Sequence, residues 1–289
     1  MTSSGAKSLT RSVALPKSGI VWIASYPKSG NTWARFIYFF LVHGRAHTSS
    51  AEVDRFVNAK LPAPEPVSSL RLVKTHAHMD ALSVYVKHTD SAIYVHRHPL
   101  DALCSALNYA LLTGEVDLEG LSVAALDQWK QSWIAAFLET GGHPLWLESP
   151  FNCGTWCDNM KSWVLDPPPF RVLRLAYEDL LQGPEAAVRQ IAKFAELSVA
   201  PESIRECVEA TSFVSLRRME ATEIALANTQ ERTIGRFSVE ARRKAASMGI
   251  KFFNEGRSGY YREVLSKSQI LKGQQVFSDV ARQFGYGFD

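Results

Sequence analysis

The chain has 289 residues, of which 46% are hydrophobic and 21% are charged, and its formal net charge is +3. This length and composition favour one large domain with a substantial core. A net charge of +3 is too small to indicate nucleic-acid binding, although it suits an anionic ligand. We expect no nucleic acid among the partners. We expect a domain over residues 18–289, after a disordered polar tail over residues 1–17.

Signals for membrane insertion, secretion and metal binding are weak. Residues Met1–Lys17 lack the apolar stretch of a secretory signal. The best candidate for a membrane span, Phe36–Val42, is far shorter than the roughly 20 residues required. We therefore expect a cytoplasmic protein without a membrane span. Cys153 and Cys157 could pair or hold a metal, but no second close pair completes a zinc pattern, so we predict free thiols and no metal.

Short apolar runs alternate with segments of helical periodicity. The apolar runs predict buried strands at Ile20–Ala24, Leu70–Lys74, Ala92–His96 and Phe170–Leu175. The periodic segments, three of which begin with proline, predict helices at Trp33–Val42, Pro99–Leu112, Ser122–Leu138, Pro184–Leu197 and Pro201–Ala210. The alternation predicts an α/β fold: a single domain with a central parallel β-sheet flanked by helices on both faces.

Leu61–Ser69 is rich in Pro and Ser and predicts a loop, and Gly141–Pro150 with Phe151–Cys157 predicts an irregular excursion over the sheet edge. A third stretch, Thr222–Lys251, is polar, basic and weakly patterned, which also predicts a loop. We interpret the last of these as a mobile lid or a substrate-contacting loop. Ligands of parallel sheets bind beyond the carboxyl ends of the strands. Side chains with useful chemistry follow the predicted strands in this chain, namely Lys28, His76, Arg97 and Tyr177.

The turn after the first predicted strand reads Tyr-Pro-Lys-Ser-Gly-Asn-Thr-Trp over residues 26–33. Backbone N–H groups, a lysine ammonium and hydroxyls at the start of a helix form an anion site. A Walker loop needs Gly, four residues and then Gly-Lys-Ser/Thr, whereas here Lys28 precedes Gly30. The turn thus predicts a phosphate or sulfate site that differs from the one in kinases. An ordinary strand-to-helix turn with a chance lysine is the alternative.

This turn resembles the phosphosulfate loop of the soluble sulfotransferases that use 3′-phosphoadenosine 5′-phosphosulfate (PAPS). The resemblance implies a P-loop NTPase-like sulfotransferase fold, PAPS as donor and adenosine 3′,5′-bisphosphate (PAP) as product. It also implies that the turn binds the donor through Lys28, Ser29, Gly30, Asn31, Thr32 and Trp33. Trp33 would stack on the purine, and Lys28 would also act in catalysis.

Two further segments resemble motifs of the same family. The segment Leu72–His76 matches its Lys-Thr-His motif and implies that His76 deprotonates the acceptor, with His78 and His43 less favoured. Taken alone, a single histidine is more often structural. The segment Tyr94–Ser105 resembles the 3′-phosphate motif and implies that Arg97 and Ser105 bind that phosphate. A surface ion pair for the arginine and an ordinary helical serine are the alternatives.

The adenosine segments are less specific. Tyr177 lies in a Tyr-Glu-Asp-Leu sequence, and Thr211 and Phe213 lie in a Thr-Ser-Phe sequence, both of which resemble adenosine-contacting segments of the family. For these aromatic side chains, simple core packing is the default interpretation.

The C-terminal motif departs from the family pattern. Asn254 and Glu255 stand where the family often carries Arg-Lys, so Glu255 must point away from the phosphate or pair with a cation. We predict that Arg257 substitutes as the phosphate ligand and that Gly256 allows a close backbone approach. This arrangement resembles soluble bacterial sulfotransferases that act on glycopeptide natural products.

The resemblance implies sulfuryl transfer from PAPS to a hydroxyl of a small-molecule or natural-product acceptor. A P-loop-type kinase and a non-catalytic relic that binds PAP are the alternatives. Four aromatic residues could line the acceptor pocket or equally pack in the core: Tyr109, Trp146, Phe151 and Trp156. A homodimer remains open.

Overall fold

The computed structural model describes residues 18–57, 60–61, 63, 69–148, 150–166, 168–227 and 247–288. Four predicted features fall wholly or partly outside these ranges. They are the tail over residues 1–17, residues 62 and 64–68 of the first predicted loop, residue 149 of the stretch 141–150, and residues 228–246 of the predicted lid.

Four parallel strands form the sheet, in the order β2–β1–β3–β4. Their bounds are Gly19–Ser25 for β1, Leu70–Thr75 for β2, Thr89–His96 for β3 and Arg171–Ala176 for β4. All four predicted strands are confirmed, although β3 begins with the polar residues Thr89–Ser91 that the prediction left out. The register pairs Ala24 of β1 with Thr75 and Tyr94, so the carboxyl ends of the strands meet at one edge.

Alternate side chains of β1 face opposite sides of the sheet, as the strand pleat requires. Ile20 and Trp22 pack on one side with side chains of helices Pro99–Thr113, Val123–Thr140 and Lys267–Ala281. Val21 and Ile23 pack on the other side with helices Asn31–His43, Pro184–Phe194 and Pro201–Ala210. The predicted α/β architecture, with helices on both faces, is confirmed.

The remaining helical segments lie around the sheet edge and in the C-terminal part. They are Ser50–Phe56, Pro144–Leu147, Trp156–Met160, Tyr177–Gln182, Phe213–Ala227 and Tyr261–Val264, with 3₁₀ turns at Met79–His88 and Arg282–Phe284 and a π turn at Lys161–Leu165. Helix Phe213–Ala227 covers residues 222–227, so the loop predicted from Thr222 was wrong there. Within the described ranges, no helix is both long and apolar enough to cross a membrane.

Candidate active site

A cavity of about 810 Å³ lies beyond the carboxyl ends of β1, β2 and β3. Lys28 follows β1, His76 follows β2 and Arg97 follows β3, and all three line this cavity. Because the strands are parallel and adjacent, the fold brings together residues that lie far apart in the sequence.

The turn between β1 and helix Asn31–His43 has an unusual backbone. Lys28 has a φ of 67° and Gly30 a φ of 107°, a region in which glycine is unstrained and other residues are not. A Cβ atom on Gly30 would lie 2.8 Å from the Tyr177 ring. The Asn31 amide donates a hydrogen bond to the Ile23 carbonyl at 2.8 Å, which fixes the start of the helix. The first N–H groups of a helix have no intrahelical partner, so this turn presents donors for an anion.

The ammonium of Lys28 lies between two aromatic rings. Its Nζ atom is 4.4 Å from the ring centroid of Tyr109 and 4.3 Å from that of Phe252. Burial, followed by the positive charge of Arg97, lowers the pKa of Lys28 to about 7, while the carboxylate of Glu220 opposes the shift. Near pH 7 only part of the Lys28 side chains are protonated, and a bound anion would favour the fully protonated ammonium.

Arg97 and Tyr177 form the opposite part of the wall. Arg97 is 8% exposed, and its guanidinium carbon lies 4.2 Å from the ring centroid of Tyr177. It donates hydrogen bonds to the backbone oxygens of Lys28 at 3.4 Å and Arg257 at 3.1 Å. Its Nε atom is buried and has no partner among the described residues. Trp33 packs edge-on against Tyr177, with 5.8 Å between the ring centroids.

His76 is held in one orientation by Ser25. Its Nδ1 atom lies 2.8 Å from the Ser25 carbonyl oxygen and 3.1 Å from the Ser25 hydroxyl oxygen. A carbonyl only accepts, so Nδ1 carries the hydrogen and Nε2 keeps its lone pair. Burial, then the charges of Lys74, Arg35 and Lys28, hold the pKa of His76 well below its usual value. The ring is therefore neutral at pH 7 and can accept a proton.

The C-terminal segment after residue 252 closes one side of the cavity. The carboxylate of Asp101 accepts hydrogen bonds from the backbone N–H groups of Gly259 at 2.7 Å and Tyr261 at 3.1 Å. Gly256 has a φ of 65°, and a Cβ there would lie 2.5 Å from the Phe213 ring. Gly256 therefore allows this segment to lie directly against Phe213.

The structure places most of the predicted site residues on the cavity wall: Lys28, Gly30, Asn31, Thr32, Trp33, His76, Arg97, Ser105, Tyr177, Phe213 and Gly256. Three predicted residues, all within the described ranges, lie off that wall. Ser29 is fully buried, and the Thr211 hydroxyl donates to the carbonyl oxygen of Cys207 at 2.7 Å. Arg257 pairs through its guanidinium with Glu263 and Glu255, and its role as a phosphate ligand stays a prediction.

Glu220 is a site residue that the sequence analysis missed. It is 5% exposed, and its carboxylate accepts hydrogen bonds from the backbone N–H groups of Phe252 at 2.8 Å and Phe253 at 3.1 Å. It thereby holds Phe252 against Lys28. No sequence signal points to this contact, because it spans more than thirty residues and Glu220 stands in a polar helix.

The cavity has two walls, whose residues come from different kinds of secondary structure. The first wall contains Lys28, Arg97 and Tyr177, which come shortly after the ends of strands β1, β3 and β4. The second wall, beside His76, is largely apolar. Its residues Ala77, Ala81, Leu82, Trp146, Phe151 and Cys153 lie in short helical or irregular segments, and Tyr109 lies in helix Pro99–Thr113. Of the four aromatic residues considered for an acceptor pocket, Trp156 instead lies in the core against Phe277.

The fold and the cavity define a class: α/β domains with a lysine in the first strand-to-helix turn and a neutral histidine after the neighbouring strand, both facing one cavity. Comparison with known proteins identifies the family. The sequence model of the sulfotransferase domain matches residues 19–285, so the chain belongs to the sulfotransferase family.

Curated relatives include mouse sulfotransferase 1B1, which is 26% identical over 216 residues, covering 69% of this chain and 66% of the relative. Cytosolic sulfotransferase 8 of Arabidopsis thaliana is 28% identical over 205 residues, covering 65% of this chain and 57% of the relative. The matches thus span about two thirds or less of the length of these relatives.

Solved structures show the same fold. The crystal structure of mouse sulfotransferase SULT7A1 complexed with PAP has a TM-score of 0.60 and 18% identity, covering 92% of this chain and 86% of that one. Retinol dehydratase, in complex with androsterone and PAP, has a TM-score of 0.59 and 17% identity, covering 91% of this chain and 80% of that one.

Proposed function

We propose that this protein transfers a sulfuryl group from PAPS to a hydroxyl of a small-molecule acceptor. This proposal rests mainly on one observation: Lys28, His76 and Arg97 line one cavity at the carboxyl ends of three adjacent parallel strands. Family membership and the PAP bound to both structural neighbours support the same donor.

The residues of the cavity fit this donor. The helix start at Asn31 and the ammonium of Lys28 suit the phosphosulfate. The buried Nε atom of Arg97 has no partner within the described residues, so it can donate to a phosphate without losing an existing bond. Tyr177 and Trp33 supply ring surface for an adenine, and base–aromatic stacking contributes about 1–3 kcal/mol.

When bound, PAPS supplies the sulfuryl group, and its sulfur–oxygen bond to phosphate breaks as the bond to the acceptor oxygen forms. Nε2 of His76 takes the hydroxyl proton, since Nδ1 is committed to the Ser25 carbonyl. Lys28 and the N–H groups of its turn neutralise the negative charge that develops on the departing phosphate. The two aromatic rings around Lys28 exclude water and strengthen that interaction.

The apolar second wall supports an acceptor with an aromatic or otherwise apolar body. Tyr109 and Trp146 contact each other edge-on, with 6.4 Å between centroids, and both line the cavity. His143 stacks on Trp146 at 4.6 Å and lies 3.0 Å from the carboxylate of Glu115, which holds this wall in place.

The proposal is tested by incubating the purified protein with PAPS and a panel of phenols and aliphatic alcohols. Release of PAP and a sulfated product, followed by liquid chromatography and mass spectrometry, is the expected result. A parallel reaction contains ATP and Mg²⁺. Phosphorylated product from ATP, with none from PAPS, would show that the protein is a kinase instead.

Arg97 and Arg257 offer a matched test of which arginine binds the nucleotide. Arg97→Ala should weaken PAP affinity by about 10- to 100-fold in calorimetry, because it removes charge-assisted hydrogen bonds in a buried site. Arg257→Ala should change the affinity by less than about twofold, since its side chain is 43% exposed and already paired with carboxylates. The reverse order of effects would identify Arg257 as the phosphate ligand.

A further inference from the structure

A hydrogen-bond network behind the cavity links the C-terminal segment to both turns that carry Arg97 and Tyr177. The hydroxyl oxygen of Tyr286 lies 2.6 Å from Nδ1 of His96 and 3.0 Å from Oε2 of Glu178. His96 immediately precedes Arg97, and Glu178 immediately follows Tyr177. The Tyr286 hydroxyl therefore links the residue before Arg97 to the residue after Tyr177.

The chemistry of the three groups fixes the direction of each hydrogen bond. Burial, and then the charge of Arg174, lowers the pKa of His96 to about 4, so its ring is neutral at pH 7. Tyr286 donates its O–H to the Glu178 carboxylate and accepts the N–H of His96. The hydroxyl thus acts as a donor to one turn and as an acceptor from the other.

His98, the residue after Arg97, is also held by hydrogen bonds to Glu178 and to the C-terminal segment. The backbone N–H of His98 donates to Oε1 of Glu178 at 3.1 Å, and its ring nitrogen Nε2 donates to the carbonyl of Gly287 at 2.8 Å. The His98 ring is stacked on Tyr261, with 4.6 Å between the centroids and 1° between the planes. The residues on both sides of Arg97 are thus fixed by contacts outside the cavity.

The geometry points to Tyr286 as a positioning residue for the nucleotide end of the cavity. Its hydroxyl sets the spacing between the Arg97 guanidinium and the Tyr177 ring, which lie 4.2 Å apart at the two turns it bridges. Tyr286 does not line the cavity among the described residues, so it acts through its neighbours. The inference rests on the proposed function, because the nucleotide is the ligand that this pair would hold.

The test is calorimetric titration of PAP into Tyr286→Phe, which removes one oxygen and keeps the ring packed against His98 and Trp156. PAP affinity should fall by about 5- to 30-fold, because the two hydrogen bonds of the hydroxyl are lost and both turns become less firmly held. At saturating PAPS, kcat should stay within about twofold of wild type, while KM for PAPS rises. Tyr38→Phe is the matched control: Tyr38 is buried on the opposite side of the sheet, and its variant should keep wild-type affinity.

A double-mutant cycle separates positioning from a general structural effect. In an Arg97→Lys background, Tyr286→Phe should cost clearly less PAP affinity than in wild type, because its effect passes partly through Arg97. Equal losses in both backgrounds, or unchanged affinity of Tyr286→Phe, would overturn the inference alone. Absence of PAP binding to the wild-type protein would overturn the proposed function together with it.

Discussion

Replacement of His76 by alanine is expected to lower kcat by roughly 10²–10⁴-fold and to leave PAP affinity within about twofold. The expectation follows from the geometry of the ring, whose Nδ1–H is committed to the Ser25 carbonyl and whose Nε2 is the available base. Steady-state kinetics with PAPS and titration with PAP measure the two quantities separately.

His78→Ala is the matched control, because this histidine lies two residues further along and, of the described residues, is not one that lines the cavity. It should retain turnover within a few-fold. Full turnover in His76→Ala would show that another group takes the proton. The pH profile gives a second check. The base works in its neutral form and its pKa is lowered, so the acid limb of kcat/KM should lie below pH 6.5.

Replacement of Lys28 by methionine is expected to lower kcat by about 10²–10³-fold, the effect of removing one preorganised electrostatic donor. Methionine keeps most of the side-chain volume between Tyr109 and Phe252, so the loss reports the charge rather than the packing. Lys28→Arg, which retains a charge, should recover part of the activity. Equal turnover in Lys28→Met and wild type would contradict the assigned role.

The lowered pKa of Lys28 also predicts a pH dependence of nucleotide binding. Above its pKa of about 7 the free protein holds a neutral amine, and the bound phosphate favours the ammonium, so binding takes up a proton. PAP affinity should therefore fall as the pH rises from 7 to 9, by up to about tenfold per unit. In Lys28→Met the affinity should be nearly flat over this range. A flat profile in the wild-type protein would show that Lys28 stays charged without a ligand.

Strands β1 and β3 could be predicted from the sequence because each contains a continuous apolar run that is buried, and the shorter apolar runs of β2 and β4 were sufficient despite their charged residues. The start of β3 was missed, since Thr89, Asp90 and Ser91 are polar yet continue the strand. Helix Lys267–Ala281 was also missed, although Ser266 and Gln269 form a capping box that marks its start. The sequence therefore contained one signal that was overlooked.

The site was predictable where residues follow strand ends directly, as Lys28, His76 and Arg97 do. It was not predictable where contacts join distant parts of the chain. Arg257 has the right charge for a phosphate ligand, but its pairing with Glu263 could not be foreseen from the motif. Tyr286 is more than one hundred residues from each of its partners, so no local pattern could reveal its role.

The difference between the two cavity walls has a consequence for how this protein can change. Substitutions in the segments around Ala81 and Phe151 reshape the apolar wall without altering a strand or the turns that carry Lys28 and Arg97. Such substitutions can change which acceptors fit the cavity while the wall with Lys28 and Arg97 keeps its structure. Directed evolution libraries confined to residues 79–82 and 150–152 would exploit this separation.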